Sequence, residues 1–281
     1  MKTTIHFSKM VASGNDFVVV DNRKGIIRNA LKFAQSVCAW HTGVGADGVL
    51  LMENSRRHDF KMRIVNSDGS EAEACGNGFR CIAKYAKEKL QFPSRFRFES
   101  LSGVVEAHVN GKHVRVQLPD PKELKLRAVI EVGGNRLHYS FINTGVPHVV
   151  IFVQGLAAVE VNHLGRLIRE HEAFRPRGTN VNFVEIKSKQ EIRVRTYERG
   201  VERETLACGT GSTASAILSV LMGFVRTPVR VKTRGGEVLT IDFKKKGNRI
   251  HQVMLEGEAS FVYEGTLCGS AVSVAGKGKK A

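Results

Sequence analysis

Two short stretches of the chain decide how the fold should be organised: EACGNG at residues 73–78 and LACGTG at residues 206–211. Both contain Cys-Gly-x-Gly, and the second follows the first by 133 residues. A second pair of segments has almost the same spacing, since GNDFVVV at residues 14–20 lines up with GVPHVVI at residues 145–151, 131 residues later. Two matches in one order at nearly one offset predict a chain made of two duplicated halves.

Each Cys-Gly-x-Gly stretch leads into a helical pattern, over residues 77–90 and 211–222, in which apolar residues recur every three to four positions. Two further helices are predicted over residues 29–41 and 161–171. Most of the remaining chain consists of short β-branched runs separated by glycine-containing turns, which is typical of strands, and several of these runs alternate apolar and polar residues. Predicted strands cover residues 5–10, 17–21, 48–53, 60–66, 95–100, 104–110, 113–118, 149–152, 181–186, 191–196, 229–233, 238–243 and 251–256. The chain is thus predicted to be a strand-rich α+β protein with one hydrophobic central helix in each half.

The length of 281 residues fits about two domains. The stretch Pro-Asp-Pro at residues 119–121 lies between the two halves and is the natural hinge. Two domains are expected: residues 1–120 with Cys75, completed by a C-terminal strand at residues 262–281, and residues 121–261 with Cys208.

The composition is that of an ordinary folded protein, with 42% hydrophobic and 25% charged residues. No stretch approaches about 18 consecutive apolar residues, so the sequence predicts no membrane span. Residues 1–17 lack a basic region followed by an apolar run and a cleavage site, which is the pattern of a secretory signal. We therefore expect a cytoplasmic enzyme.

The chain is strongly basic, with 43 Lys and Arg against 27 Asp and Glu and a net charge of +16. Such a charge favours a nucleic-acid or anionic-membrane partner, or a small anionic substrate. The basic residues are dispersed along the sequence, and four Tyr and one Trp offer little for base stacking. A nucleic-acid partner is therefore not expected, and a basic tail with Lys277, Lys279 and Lys280 stays unexplained.

Five cysteines, an odd number on a long chain, argue against a secreted disulfide framework and for reduced thiols. Cys75 and Cys81 have five residues between them, instead of the roughly two to four of a typical zinc-ligand pair, and no Cys-x-x-Cys occurs. We expect no metal site. The repeated cysteine therefore needs another explanation.

The repeated cysteine stands at the start of a predicted helix, and this position can explain why it is repeated. Glycines permit tight turns and the close approach of a ligand, and a helix N-terminus presents unpaired N–H groups with partial positive charge. Both effects favour a thiolate at Cys75 and Cys208, and the same N–H groups suit a substrate carboxylate. If the halves face each other, the two thiols lie on opposite sides of a cleft.

Two opposed thiols suit the inversion of a stereocentre by proton transfer, because one group removes a proton from one face while the other delivers a proton to the opposite face. The α-proton of an amino acid is very weakly acidic, so the developing carbanion must be stabilised. Helix N-termini directed at the carboxylate provide that stabilisation without a metal or cofactor, and a closed, dry cleft strengthens it.

Three other interpretations stay open on these residues alone. Cys75 and Cys208 could be small residues packed at helix starts, since buried cysteine is common. GTGS at residues 209–212 looks like a phosphate loop, although no Lys follows as it does in a P-loop. A Cys-His-Asn protease would leave the second matching cysteine unexplained.

Eight segments narrow the choice: GNDF at 14–17, GVGADG at 43–48, NSDGS at 66–70, CGNG at 75–78, PH at 147–148, TNV at 179–181, YERG at 197–200 and CGTGS at 208–212. In combination they resemble the diaminopimelate epimerase family, whose members interconvert LL- and meso-diaminopimelate without a cofactor. Any single segment would be unspecific, whereas together they span residues 14–212.

The resemblance implies two pseudo-twofold-related halves, each a strand-rich sheet wrapped around a central helix, with the substrate in the cleft. It implies that Cys75 and Cys208 are the catalytic thiols and that His148 and Glu198 assist them. The substrate-binding residues it implies are Asn15, Asn66, Gly76, Asn77, Asn180, Glu198, Arg199, Gly209 and Thr210. The N–H groups at positions 76–77 and 209–210 would bind the reacting α-carboxylate, and the other residues the distal amino-carboxylate end.

These residues also have structural interpretations. Glu198 and Arg199 could form a surface ion pair, His148 could be a structural histidine, and the asparagines could be turn or cap residues. An Arg does suit bidentate recognition of a carboxylate better than a Lys does.

The resemblance further implies a homodimer and a place in the lysine and peptidoglycan precursor pathway. Two positions depart from the pattern: family members often carry Asn in place of Val146, and some carry Gln in place of Gly48. Both departures concern substrate binding and leave the thiols unchanged. The alternatives are a related two-thiol racemase for proline or hydroxyproline and, from a different class, a nucleic-acid-binding protein on the same scaffold. A Glu-Arg pair with three asparagines favours a substrate that has a second amino-acid end.

Overall fold

The structure is a computed structural model that describes residues 4–247 and 249–268. The chain divides into two compact units: unit 2 is Gln117–Gly257, and unit 1 comprises the chain before it and the chain from Glu258 onward. The basic tail, with Lys277, Lys279 and Lys280, lies outside the described residues, as do residues 269–281 of the strand expected over 262–281. The domain limits inferred from the sequence stay a prediction.

Unit 1 is a sheet-rich unit around one helix. Its first elements, in chain order, are β1 (Ile5–Ala12), β2 (Asn15–Asp21), α1 (Ala30–Val37), β3 (Gly48–Glu53), β4 (Phe60–Asn66), β5 (Glu71–Ala72), α2 (Gly76–Leu90), β6 (Arg95–Ser100), β7 (Gly103–Asn110) and β8 (His113–Gln117). β1 and β2 form an antiparallel hairpin, β2 is parallel to β3, and β3 is antiparallel to β4. β5 adds to β4 antiparallel, β4 is parallel to β6, and β6, β7 and β8 are antiparallel.

The parallel pair β2–β3 forms the centre of unit 1 because it is buried on both faces. Its apolar residues run consecutively, at residues 17–20 and 49–52, as expected for strands covered on both sides. One face packs with α1 through residues such as Phe33 and Val37. The other face meets α2, whose residues 76–84 are all buried.

Unit 2 repeats this arrangement in the same order. Its elements are β9 (Lys122–Val132), β10 (Asn135–Asn143), β11 (Pro147–Phe152), α3 (Val161–Arg169), β12 (Asn180–Ser188), β13 (Glu191–Glu198), β14 (Arg203–Thr205), α4 (Gly209–Leu221), β15 (Val229–Lys232), β16 (Val238–Lys246) and β17 (Arg249–Glu258). β10 and β11 form the hairpin, β11 is parallel to β12, and β12 is antiparallel to β13. β13 carries β14 antiparallel and is parallel to β15, which begins the antiparallel run to β17.

The final strand, β18 (Ser260–Leu267), belongs to unit 1 and pairs antiparallel with β1, from Ile5 opposite Leu267 to Val11 opposite Ser260. In unit 2 the corresponding strand, β10, is paired with β9. The edge of β1 is therefore covered by a strand from the far end of the described chain, whereas the edge of β10 is covered by the strand that immediately precedes it. The predicted α+β class, with one strand-enclosed helix in each unit, is confirmed.

Several details of the sequence prediction were wrong, and the short strands β5 and β14 were among the elements that it missed. The hairpin β9–β10 was not predicted, because β9 exposes almost all of its side chains up to Val129 and has no buried alternating face there. The helix expected over residues 29–41 ends at Val37, whose carbonyl accepts the N–H groups of Val44 and Gly45, so the chain turns back instead of continuing the helix.

Candidate active site

Cys75 directly precedes α2 and caps its N-terminus. Its backbone is extended, with φ −149° and ψ 109°, and its Sγ accepts a hydrogen bond from the N–H of Gly78 at 3.4 Å. A sulfur that accepts a backbone N–H at the positive end of a helix is favoured as a thiolate. The side chain is partly buried, so the sulfur combines this helix environment with limited access to solvent.

A hydrogen-bonded network joins the start of α2 to the β1–β2 turn. Asn77 Nδ2 donates to Asn15 Oδ1 at 2.6 Å, and Asn15 Nδ2 donates to Asp47 Oδ2 at 2.9 Å. Arg80 is fully buried and donates from Nη2 to Asn77 Oδ1 at 2.7 Å and to Ser13 Oγ at 2.5 Å. The structure thus brings together two residues expected to bind substrate, Asn15 and Asn77, and holds both amides through neighbours on other elements.

Asp47 is itself fixed by the hairpin. Its N–H donates to Asp16 Oδ1 at 2.9 Å, while the N–H of Asp16 donates to Asp47 Oδ2 at 3.2 Å. Buried Lys9 balances the two carboxylates, with its Nζ 2.6 Å from Asp16 Oδ2. The loop before β3 is therefore anchored to β2 by side chains as well as by the sheet.

Asn66, the last residue of β4, lies opposite Gly48 in the β3–β4 register. Its Nδ2 donates to Ser70 Oγ at 2.9 Å, and its N–H donates to the Ser70 carbonyl at 2.8 Å. In this structure Asn66 closes a turn rather than joining the Asn15–Asn77 network. A Cβ at Gly48 would come within 2.9 Å of the Val65 carbonyl oxygen, so close strand packing accounts for the glycine.

Cys208 takes the same place at the start of α4, with φ −126° and ψ 112°. It is buried, and its Sγ lies 3.5 Å from Thr210 Oγ1. Buried Thr144, at the end of the β10–β11 hairpin, donates from Oγ1 to the Thr210 carbonyl at 3.0 Å. This bond attaches the first turn of α4 to the hairpin that also carries His148.

His148 is fully buried on β11 and packs against β12. Its Nδ1 lies 3.2 Å from Nδ2 of Asn182, which also donates to the Val149 carbonyl at 2.9 Å. Asn182 Oδ1 accepts a hydrogen bond from Thr196 Oγ1 at 2.9 Å. A buried polar row therefore runs across three strands beneath the start of α4.

Asn180 and Arg199 are adjacent to this row. Asn180 is buried, and its Oδ1 accepts the N–H of Arg199 at 2.8 Å while its Nδ2 donates to the Pro147 carbonyl at 3.2 Å. Arg199 is partly buried and donates from Nη1 to the Arg177 carbonyl at 2.7 Å. Asn180 therefore holds the end of β13, where partly buried Glu198 lies, beside the start of β11.

The electrostatic environment keeps His148 neutral. Complete burial lowers the pKa of His148 from 6.5 to about 3, because the charged imidazolium loses its hydration, and the nearby positive charge of Arg199 acts in the same direction. The imidazole therefore carries one ring proton at neutral pH. Cys38 provides a contrast among the thiols, since burial raises its pKa to about 12 and keeps it protonated.

The sequence of this chain is similar to that of one known protein family. A family model described as diaminopimelate epimerase matches residues 7–123 and 140–262. The chain belongs to the diaminopimelate epimerase family. It is 50% identical over 276 residues to a diaminopimelate epimerase of Aquifex aeolicus, covering 94% of this chain and 98% of the relative. It is 41% identical over 278 residues to one of Archaeoglobus fulgidus, covering 94% and 96%. The resemblance inferred from the eight sequence segments is confirmed.

Solved structures of other proteins share the fold at low sequence identity. A hydroxyproline epimerase from Agrobacterium vitis, solved with bound trans-4-hydroxy-L-proline, superposes with a TM-score of 0.73 at 15% identity, covering 95% of this chain and 91% of that chain. A phenazine biosynthesis protein of the PhzF family from Bacillus anthracis gives a TM-score of 0.70 at 17% identity, covering 95% and 99%. At these identities the likeness concerns the fold alone.

Among the described residues, no group of three or more His, Cys, Asp or Glu side chains is arranged to hold a metal ion. Within the same residues, no helix is both long enough and apolar enough to cross a membrane.

Sequence reasoning missed several residues that hold the site in place: Asp47, Arg80, Thr144 and Asn182. Asp47 lies inside the GVGADG segment, which the family resemblance had singled out without giving this residue a role. Asn182 follows Asn180 at a spacing of two, a pattern that indicates the solvent face of a half-exposed strand. β12 is instead covered by α3 and α4, so the polar face is buried.

Proposed function

We propose that this protein is a cofactor-independent epimerase that interconverts LL- and meso-diaminopimelate, with Cys75 and Cys208 as its two proton-transfer groups. The observation that carries the proposal is the duplicated helix start: in each unit, a cysteine with an extended backbone directly precedes the central helix. Membership of the diaminopimelate epimerase family supports the substrate.

In the proposed reaction, one cysteine acts as a thiolate and removes the α-proton from one face of the substrate carbon. The other cysteine, as a thiol, delivers its proton to the opposite face, so that the configuration inverts and the two sulfurs exchange protonation states. No electrons are transferred, and no co-reactant is needed. The reverse reaction uses the same two groups in opposite roles.

The developing carbanion needs stabilisation at the α-carboxylate. We assign this task to the first N–H groups of α2 and α4, at Gly76 and Asn77 and at Gly209 and Thr210. Helix N-termini offer such donors with partial positive charge, and donors fixed before the reaction lose no energy in reorienting. The bonds from Arg80 to Asn77 and from Thr144 to Thr210 support this role by holding both helix starts.

We assign the distal amino-carboxylate end of the substrate to Asn15, Asn66, Asn180, Glu198 and Arg199. Arg199 would bind the distal carboxylate, because a guanidinium donates two parallel hydrogen bonds to it. Asn180 is already bonded to the Arg199 N–H and the Pro147 carbonyl, which supports a role in placing Arg199. The departure at Val146 concerns the same distal end of the substrate, whereas close strand packing accounts for Gly48.

The remaining proposals follow from the family. We propose a homodimer that acts in the cytoplasm, in the pathway to lysine and peptidoglycan precursors, without a metal or cofactor. Diaminopimelate carries an ammonium and a carboxylate group at each end, and the residues assigned to its distal end include donors for the carboxylate and acceptors for the ammonium group. The hydroxyproline epimerase that shares the fold was solved with trans-4-hydroxy-L-proline, a molecule that has no second amino-acid end for Glu198 and Arg199.

The test is the rate of interconversion of LL- and meso-diaminopimelate by the Cys75→Ala and Cys208→Ala variants. Each variant should lose at least about a hundredfold in turnover, the effect expected when an acid–base group is removed. Cys38→Ala is the matched control: its thiol is buried with a raised pKa, and the variant should stay active. Circular dichroism of all three variants checks folding.

Full activity in either Cys75→Ala or Cys208→Ala would overturn the two-thiol assignment. Faster turnover of hydroxyproline than of diaminopimelate by the unaltered protein would overturn the substrate and favour the racemase alternative. Binding of DNA or RNA that weakens steeply with salt, without any epimerase activity, would instead favour the nucleic-acid alternative.

A further inference from the structure

Three equivalent positions differ in polarity between the two units. In unit 1, Phe17 on β2, Leu50 on β3 and Ile64 on β4 are buried and apolar. In unit 2 the strand register places His148, Asn182 and Thr196 at these three positions. His148 pairs with Ile142 in its hairpin just as Phe17 pairs with Met10. Asn182 lies opposite Thr196 just as Leu50 lies opposite Ile64. All three polar residues are at least 97% buried, with exposures of 0%, 0% and 3%.

The helix glycines confirm that Leu50 and Asn182 are equivalent. A Cβ at Gly78 of α2 would come within 3.2 Å of Leu50 Cδ2, and a Cβ at Gly211 of α4 would overlap Asn182 Oδ1. The duplicated fold therefore accepts an apolar side chain at this point. Burying an amide there brings no gain unless all its hydrogen bonds are made, so the polar row in unit 2 calls for a role beyond packing.

The hydrogen bonds of Asn182 fix which way its amide points. The Val149 carbonyl, 2.9 Å away, can only accept, so the atom facing it is the NH₂ nitrogen. The amide oxygen faces the Thr196 hydroxyl at 2.9 Å. The second hydrogen of Nδ2 is therefore the one directed at His148 Nδ1, 3.2 Å away.

This orientation decides the tautomer of His148. A ring nitrogen that accepts a hydrogen bond carries no proton, so the single proton of the neutral ring is on Nε2. Nε2 is buried and has no hydrogen-bond partner among the described residues. A buried N–H donor without a partner is expected to meet an acceptor on a bound ligand or on a reacting group.

We propose that Asn182 is a positioning residue that locks His148 in the Nε2–H tautomer, so that His148 serves the reaction as a neutral hydrogen-bond donor to an anion. The proposal rests on the proposed epimerase function for the identity of that anion, a thiolate or a substrate carboxylate. The proposal excludes His148 as the base that takes up a substrate proton. Nε2 already carries a proton, and Nδ1 accepts the hydrogen bond from Asn182. The low pKa of the buried ring agrees with this role.

The direct test is ¹⁵N nuclear magnetic resonance of the full chain labelled at histidine, in which the shifts and couplings of the ring nitrogens report which one carries the proton. His148→Gln identifies the His148 signals by their loss. We expect the Nε2–H pattern between pH 5 and pH 8. A protonated ring or the Nδ1–H pattern in the unaltered protein at neutral pH would overturn the proposal, whatever the activity.

Two substitutions then test Asn182 as the cause. Asn182→Leu introduces the residue that unit 1 has at the equivalent position and removes the donor, and Asn182→Asp keeps the shape while replacing the donor by an acceptor. The Leu variant should give a mixture of tautomers, and the Asp variant should move the proton to Nδ1. Thr196→Val is the matched control, since it removes the bond to Oδ1 but leaves both Nδ2 bonds. It should keep the Nε2–H pattern.

Activity gives the second readout. We expect kcat for diaminopimelate to fall roughly tenfold or more in Asn182→Asp, the factor that one hydrogen bond to a developing charge supplies, with a smaller change in KM. An unchanged Nε2–H pattern in both Asn182 variants would overturn the assignment to Asn182. If the protein showed the expected tautomer but no epimerase activity, the proposed function would be refuted. The assignment of the His148 tautomer to Asn182 would still hold.

Discussion

The second glycine of each Cys-Gly-x-Gly stretch determines how closely the central helix approaches the sheet. At Gly78 the nearest atoms to an added Cβ are the flexible ends of Leu50 and Met62, at 3.2 and 3.3 Å. At Gly211 the neighbour is the amide of Asn182, which is held by bonds to three other groups. The same motif is therefore under different constraints in the two units.

Gly211→Ala should consequently be the more harmful of two matched substitutions. We expect it to lower the free energy of unfolding by about 2 kcal/mol, the range found when a packed interior receives an extra methyl group. Gly78→Ala should change it by less than about 1 kcal/mol, because the gain in helix propensity offsets a mild contact. Urea unfolding of both variants measures the difference, and equal effects would contradict the constraint assigned to Asn182.

His148 should make the protein less stable in acid. Its pKa is lowered to about 3 in the folded protein, against 6.5 when unfolded, so below pH 6.5 the unfolded chain binds a proton that the folded protein does not. The stability contributed by the neutral ring is complete above pH 6.5 and is lost on acidification, at about 1.4 kcal/mol per pH unit.

His148→Gln should remove this part of the pH dependence. Between pH 6 and 4.5, the free energy of unfolding of the variant should fall less steeply than that of the unaltered protein, by up to about 1.4 kcal/mol per pH unit. The exposed His138 supplies the control, His138→Gln, which should leave the slope as it was. Identical slopes for all three proteins would show that His148 is accessible to protons in the folded state.

Among the elements, β18 supports unit 1 although it comes from the far end of the described chain. It pairs with β1 along its length, and a Cβ on Gly265 would meet the ring of Phe7 at 2.7 Å. Leu267 packs on the same core cluster as Ile5 and Phe7. Without β18, the edge of β1 and these apolar side chains would face water.

Truncation tests this support. A chain ending at Ala259 should lose at least about 2 kcal/mol of the free energy of unfolding, the value of re-exposing one or two large apolar side chains. A chain ending at Cys268 removes the basic tail and keeps β18, so it is the matched control. Urea unfolding followed at both units would locate the loss. Equal stability of the two truncated chains would mean that β18 contributes nothing to unit 1.

How far the sequence predicts an element depends on how that element is buried. Strands β3, β4 and β6 were predicted to the residue, because their apolar pattern lies between clear turns. β9 was not predicted, because most of its length is exposed and charged and therefore shows no alternation of apolar and polar residues. The two catalytic cysteine candidates were evident from the repeat, whereas Asn182 was hidden because its strand is covered on both faces.

For the whole molecule, the duplication of the fold provides two copies of the site that holds a cysteine. One fold supplies the same helix start twice, with Cys75 in one unit and Cys208 in the other. The two units differ at the three positions below the helix start. These positions are apolar in unit 1, whereas unit 2 has the buried polar residues His148, Asn182 and Thr196. The net charge of +16 is less informative, because it names neither a substrate nor a site.

The most direct test of the two-thiol reaction is the fate of the α-proton in D₂O at early reaction times. If separate cysteines remove and deliver the proton, meso product formed from LL-diaminopimelate should carry one deuterium at the inverted carbon from the first turnovers. The remaining LL substrate should stay unlabelled, because a thiol that has taken the substrate's proton returns that same proton. Mass spectrometry of the two separated isomers measures both. Product that retains the substrate's own proton would show that one group serves both faces, and would contradict the central claim.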